Sequence, residues 1–451
     1  PLFDQSGHNF PGVDYAPADE QPPLGAWENP LSDFVTHRNK VPRMPWHDIS
    51  ALVAGSSVQY LVLNFAQRWE HHRVERKDIH ASPFGKVLLD TSSTDVWGNT
   101  LTAWKLEDYE VQETHGGSMR VLVVRQAPTW AYPSYLDSVA VAEETSMYQA
   151  FLHALNRAQK FVYIEAQYIV SANCNQGPRN RLIEALFRRI VAAIDAQLRF
   201  FVYIVVPEEV DDLQVARLTR LTLVDGEDSL MGRLRKRLAV KGSCTAQKSA
   251  EDYISVCSLR QVERNPETGN WATEKVFVHS KLMIVDDWIV VLGSANFNDR
   301  SLLKNRDSEI GIYVEDLKLE DDALGNSPFK VGAHVRSFRL RLWCEHLGVR
   351  DGSAEKDLAR NPATLKGFEL WTSRAQLNTN CIAQAFPTAP NNSIRTSSDF
   401  QAAERRVPSP QLLDIGAYKG TLVDYPGMFL SDKTAGVRSY FIGQFEAAQE
   451  I

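Results

Sequence analysis

Between Met119 and Leu292, short apolar runs alternate with longer stretches of helical periodicity, and this alternation restricts the fold more than any other feature. Met119–Val124, Phe161–Glu165, Phe200–Val206, Tyr253–Leu259 and Ile289–Leu292 have the length and the β-branched and aromatic content of strands. Between them, Glu144–Gln159 sets Met147, Phe151 and Leu155 on one helical face, and Arg179–Gln197 does the same with Leu182, Leu186 and Ile190. The pattern predicts an α/β fold: a layered mixed β-sheet flanked by helices. A helix is also expected over Ile49–Arg73, carrying Leu52, Leu61, Phe65 and Trp69, and another over Phe368–Phe386. The first 40 residues and residues 78–118 read as irregular, and Pro387–Pro410 as an extended loop. This divides the chain into an N-terminal segment (1–118) packing on a core, a central lobe (119–350) and a C-terminal extension (351–451). No internal repeat is evident.

Composition narrows the class. Of 451 residues, 44% are hydrophobic and 23% charged, as in soluble globular proteins. A net charge of -7 does not point to a nucleic-acid partner. The basic run Arg233, Arg235, Lys236, Arg237 and Lys241 reads as the solvated face of a helix. No apolar run approaches the ~20 residues of a membrane-spanning helix, and the first residues lack the pattern of a signal peptide. The chain opens on Pro1, as a fragment or a processed chain would. Cys174, Cys244, Cys257, Cys344 and Cys381 are scattered without a CxxC pair, which fits reduced thiols better than a disulfide framework or a zinc site.

The chemistry is concentrated in Val276–Asp316. Phe277–Val285 reads as one strand, in which His279 and Lys281, two apart, project from one face. An imidazole beside a fixed cation suits a phosphate: His attacks phosphorus or moves a proton, and Lys neutralises an oxygen. Asp286, at a turn with Asp287, is less suited to point into the same site. A second strand leads to Gly293-Ser294-Ala295-Asn296, where Ser294 and Asn296 are again two apart and the glycine would let backbone amides approach an anion. Glu309 could accept a hydrogen bond from the second ring nitrogen of His279. A lone His in a strand is usually structural, and Asp-Asp or Gly-Ser pairs usually mark turns. The residues gain weight from the combined order His-x-Lys-x4-Asp-x6-Gly-Ser-x-Asn.

That order resembles the HKD signature of the phospholipase D superfamily. VPRMPWHDI (41–49), FAQRW (65–69), KFVYIEAQYIV (160–170), DYISVCSLR (252–260), NDRSLLKNRDSE (298–309) and GTLVDYPGMFL (420–430) are similar to the eukaryotic-type phosphatidylcholine-hydrolysing enzymes. The resemblance implies the second of two pseudo-twofold-related catalytic halves, with one site between them. One histidine would form a phosphohistidine and release the head group; the other would protonate the leaving oxygen and then activate water or a primary alcohol. His279 would be that acid/base. Lys281 and Asn296 would hold phosphate oxygens with Ser294 beside them, Glu309 would orient His279, and Asp286 would complete the motif, chiefly supporting the local fold.

No cofactor and no metal is implied. None of the eleven histidines offers a second His-x-Lys-x4-Asp. The resemblance therefore implies activity only with an N-terminal half, which becomes a partner alongside a phospholipid membrane surface. The basic cluster for phosphoinositides is lacking. With arginine outnumbering lysine 32 to 17, this fits a bacterial enzyme of eukaryotic type, peripheral to membranes. Some such enzymes are secreted into target cells as effectors or toxins, which leaves room for an inhibitor or immunity protein as partner. The rival readings are another HKD phosphodiesterase, of nuclease or cardiolipin synthase type, and a non-catalytic binding half.

Overall fold

A computed structural model of the chain describes residues 42, 44–75, 118–131, 143–172, 178–208, 213–241, 247–266, 268–303, 306–325, 327–406 and 417–431. The expectations for residues 1–40 and 78–117, and for Cys174 and Cys244, fall outside these. The elements in chain order are β1 (Trp46–His47), α1 (Val58–Glu75), β2 (Met119–Ala127), β3 (Glu144–Thr145), α2 (Ser146–Arg157) and β4 (Phe161–Glu165). Then come α3 (Leu182–Asp195), β5 (Phe201–Val205), α4 (Leu213–Leu223), α5 (Leu230–Lys241), β6 (Ile254–Arg264), β7 (Trp271–Lys275) and β8 (Phe277–Val278). The site region holds β9 (Leu282–Val285), β10 (Ile289–Gly293), α6 (Asp299–Leu302) and β11 (Glu309–Asp316). Beyond it lie β12 (Leu319–Ala323), β13 (Pro328–Gly332), α7 (Ala333–Leu347), α8 (Ala354–Arg360), α9 (Leu365–Ala385), α10 (Ser397–Glu404) and β14 (Leu422–Asp424).

A mixed ten-stranded sheet runs in the order β14-β6-β5-β4-β9-β10-β11-β2-β3, with β7 added on β6. β4, β5 and β6 are mutually parallel and the remaining pairs antiparallel. The two-residue side-chain period sorts the central strands between two cores. Val162, Ile164, Val202, Ile204, Met283 and Val285 face the core capped by α2, α3 and α5. Phe161, Tyr163, Phe201, Tyr203, Leu282 and Ile284 face the second core, where Trp343 of α7 and Trp371 of α9 meet with ring centroids 4.5 Å apart. A sheet buried on both faces accounts for the nearly continuous apolar runs.

The turn after β9 ties both layers together. Asp286 and Asp287 both adopt positive φ, 52° and 53°, which Asp tolerates better than most residues. The Asp286 carboxylate accepts from the amides of Gln159, Lys160 and Phe161 at 2.6, 2.8 and 2.8 Å, pinning the start of β4. Asp287 pairs with Arg339 of α7 at 2.5 and 2.9 Å, both fully buried.

Several sequence expectations need correction. Phe277–Val285 is two strands, because β8 pairs in parallel with β1 outside the main sheet while β9 joins it, and the chain breaks at residues 279–281. The helix expected from Ile49 begins at Val58. The loop expected over Pro387–Pro410 contains α10, whose Ser-rich start is closed by a capping box between Thr396 and Asp399. The basic run lies on α5, and four of its members pair with acids: Arg233 with Glu184, Arg235 with Glu251, Lys236 with Glu227 and Arg237 with Asp195. Among the described residues, no helix is long and apolar enough to cross a membrane.

Candidate active site

The small β1–β8 pair builds the site. Trp46 is in register with Phe277 and His47 with Val278, and the His279 amide donates to the His47 carbonyl at 2.8 Å. One residue further on, Asp48 therefore stands beside His279. Its Oδ2 lies 2.7 Å from His279 Nδ1, which leaves Nε2 as the ring nitrogen not engaged by Asp48. Trp46 lies over the imidazole, ring centroids 4.8 Å apart, and further limits its orientation. Burial would raise the Asp48 pKa, but the hydrogen bond from His279 brings it below the ordinary carboxylate value.

Lys281 is buried, and its Nζ donates to the His279 carbonyl at 2.6 Å and to Gln167 Oε1 at 3.2 Å. Burial lowers its pKa to about 8, against the pull of Asp48 and Glu309. Asn296 donates through Nδ2 to the Tyr168 hydroxyl at 3.1 Å, and Asn298 reaches the same hydroxyl at 3.1 Å. Asn296 Oδ1 is buried without a hydrogen-bond partner among the described residues. Glu309 opens β11 and receives the Ser294 hydroxyl at 2.5 Å. Burial pushes its carboxyl above the ordinary value despite the Ser294 and Ser301 hydroxyls.

His279 and Lys281 thus come together as expected, with Lys281 and Glu309 close enough to influence each other. Three roles change. The carboxylate on His279 is Asp48, whereas Glu309 is engaged by Ser294. Asp286 is spent on the backbone of β4, at the end of β9 away from Lys281, so it supports the fold and takes no catalytic position. Gly293 does not free amides for an anion: its N–H bonds to the Lys281 carbonyl at 3.2 Å and that of Ser294 to Ile310 at 3.0 Å. Glycine is required there because a Cβ would meet Met147 Cε at 2.6 Å and Gly311 Cα at 2.7 Å.

Sequence reasoning missed Asp48, Gln167 and Tyr168, and also Glu165. The latter is a fully buried carboxylate in β4 that receives Ser280, Tyr163, His47 and His346. A charged residue closing an otherwise apolar strand, FVYIE, was the available signal. The ligand-type atoms of His47, Glu165 and His346 lie within 4.8 Å of one another. Each Glu165 oxygen, however, already accepts one hydroxyl and one imidazole, so the group reads as a hydrogen-bonded hub. Burial would raise Glu165, but hydrogen bonds from His346 and His47 hold it well below the carboxylate range.

The site thus sets a carboxylate-backed imidazole beside a buried ammonium on an α/β sheet buried on both faces. The family model described as phospholipase D matches residues 28–386, and the chain belongs to that family. It is 29% identical to human phospholipase D1, over 90% of this chain and 37% of the relative. Identity is 30% with bovine phospholipase D2, over 90% and 42%, and 28% with phospholipase D zeta 1 of Arabidopsis thaliana, over 88% and 46%. The chain thus spans less than half the length of these relatives. Among solved structures, the phospholipase D family member Nuc from Salmonella typhimurium aligns with 50% of this chain and 91% of its own, at 15% identity and a TM-score of 0.27. NucT from Helicobacter pylori aligns with 44% and 87%, at 14% identity and a TM-score of 0.25.

Proposed function

We propose that the chain supplies one half of a phospholipase D site that cleaves phosphatidylcholine-type glycerophospholipids to phosphatidic acid and free head group. The observation that carries this reading is the Asp48–His279 pair at 2.7 Å beside Lys281. With Nδ1 held by Asp48, Nε2 of His279 protonates the leaving head-group oxygen and then takes the proton of an incoming water or primary alcohol. Lys281 neutralises a non-bridging phosphate oxygen. Turning over the Asn296 amide would let Oδ1 accept from Tyr168 and free the NH2 for a second phosphate oxygen, which supports its expected role.

The nucleophile that forms the phosphohistidine comes from the N-terminal half, since no second His-x-Lys-x4-Asp occurs here. The enzyme would act as a peripheral visitor to phospholipid surfaces. A nuclease reading gains nothing from α5, where Arg233, Arg235, Lys236 and Arg237 are engaged by carboxylates. The test is choline release from phosphatidylcholine vesicles, with ethanol exchange as second readout, using the chain together with its N-terminal half. Both products should vanish with His279→Ala; their persistence at the unsubstituted rate would overturn the assignment.

A further inference from the structure

We propose that Glu165 is the positioning residue of this site: it sets Asp48 against His279 by tying together the two chain segments that carry them. The proposal rests on the catalytic reading above for its kinetic consequence, though not for its geometry. Glu165 has no exposed surface, so it touches no substrate. Its Oε2 takes two contacts from the site side: the Ser280 hydroxyl at 2.5 Å and His47 Nε2 at 2.9 Å. Ser280 lies between His279 and Lys281, and His47 immediately precedes Asp48. One oxygen atom therefore joins the His-x-Lys segment to the segment bearing the carboxylate.

Its Oε1 takes two contacts from the core side: the Tyr163 hydroxyl at 2.5 Å and His346 Nε2 at 3.1 Å. These fix the carboxylate to β4 and α7. The β1–β8 pairing alone is two residues long, too short to hold its register without side-chain support. The Asp48–His279 pair is partly exposed, with side chains 41% and 34% accessible, so packing, the Trp46 ring included, fixes its geometry only in part. The hub beneath supplies that rigidity.

Glu165→Gln keeps the shape but turns one oxygen into an NH2 that meets donors. Ser280→Ala removes one strut with little change in volume. In the enzyme with both halves present, each substitution should lower kcat, by about 10- to 100-fold for Glu165→Gln, with KM within about twofold. Combined with Asp48→Asn, the losses should be less than multiplicative, because both act through the same pair. Multiplicative losses, or a lowered melting temperature with kcat per folded enzyme unchanged, would assign Glu165 a merely structural role and overturn the proposal. The rate at which diethyl pyrocarbonate modifies His279, read by mass spectrometry, needs no turnover. Asp48→Asn, Glu165→Gln and Ser280→Ala should shift it in one direction, without further shift in combination. That pattern in a protein without lipase activity would sink the catalytic reading and leave the positioning intact. Activity with unchanged labelling would do the reverse. If Glu165→Gln does not fold, Ser280→Ala carries the same test.

Discussion

Replacing Asp48 by Asn isolates the charge behind His279 while preserving the size of the side chain. The pair matters most when the imidazole is protonated, between accepting a proton and delivering it to the leaving group. Two unit charges about 4 Å apart interact by about 1 kcal/mol in water and about 4 kcal/mol near a protein surface. Both side chains are more than a third exposed, at 41% and 34%, which discounts the upper value. A loss of about 1.4 to 3 kcal/mol of transition-state stabilisation follows, or about 10- to 100-fold in kcat. KM should stay nearly constant if Asp48 acts through His279 alone. The assay is initial-rate choline release across a range of vesicle concentrations, with both halves of the enzyme present. A loss below about threefold in kcat, or one confined to KM, would show that Asp48 does not support His279 in the transition state.

Three further outcomes are expected. Lys281 carries its charge below its pKa of about 8 and loses it above, so inhibition by sulfate should weaken as pH rises through 8. Lys281→Arg should move that limb upward, since a guanidinium does not titrate there; a flat profile in the unsubstituted enzyme would contradict the assignment. Arg339→Met leaves Asp287 buried without its partner and should cost about 3 to 5 kcal/mol in urea unfolding. Adding Asp287→Asn should recover part of that loss; no recovery would show that the buried charge is not its source. Gly311→Ala places a Cβ against the Leu292 carbonyl and the Gly293 Cα across the β10–β11 ladder. It should destabilise by about 1 to 3 kcal/mol, and a neutral result would mean that this ladder can spread.

The central sheet was legible because its strands are buried on both faces, which makes them short, apolar and separable from amphipathic helices. Phe161–Glu165 falls where expected, and Phe201–Val205 within a residue. Pattern could not reveal that Phe277–Val285 breaks in two, since the break depends on β8 finding β1 far upstream. Nor could it reveal α10, whose Thr-Ser-Ser-Asp start carries loop composition until the capping box is seen as a helix signal. His279, Lys281, Ser294, Asn296 and Glu309 were legible as one cluster because they lie close in sequence. The carboxylate that the resemblance implies on His279 is Glu309, whereas Asp48 is separated from His279 by 231 positions and arrives through strand pairing. Local spacing reports which residues share a strand, and says little about which distant segment is laid beside it.

If this chain holds one histidine of a two-histidine site, phosphatidylcholine hydrolysis should require both halves, which is read by assaying the chain alone and again with the N-terminal half supplied. No choline release from the chain alone, activity on addition of the second half, and its loss with His279→Ala are the predicted results. Sustained hydrolysis by the chain alone would contradict the claim and would point to a second nucleophile within it, or to two copies sharing their motifs.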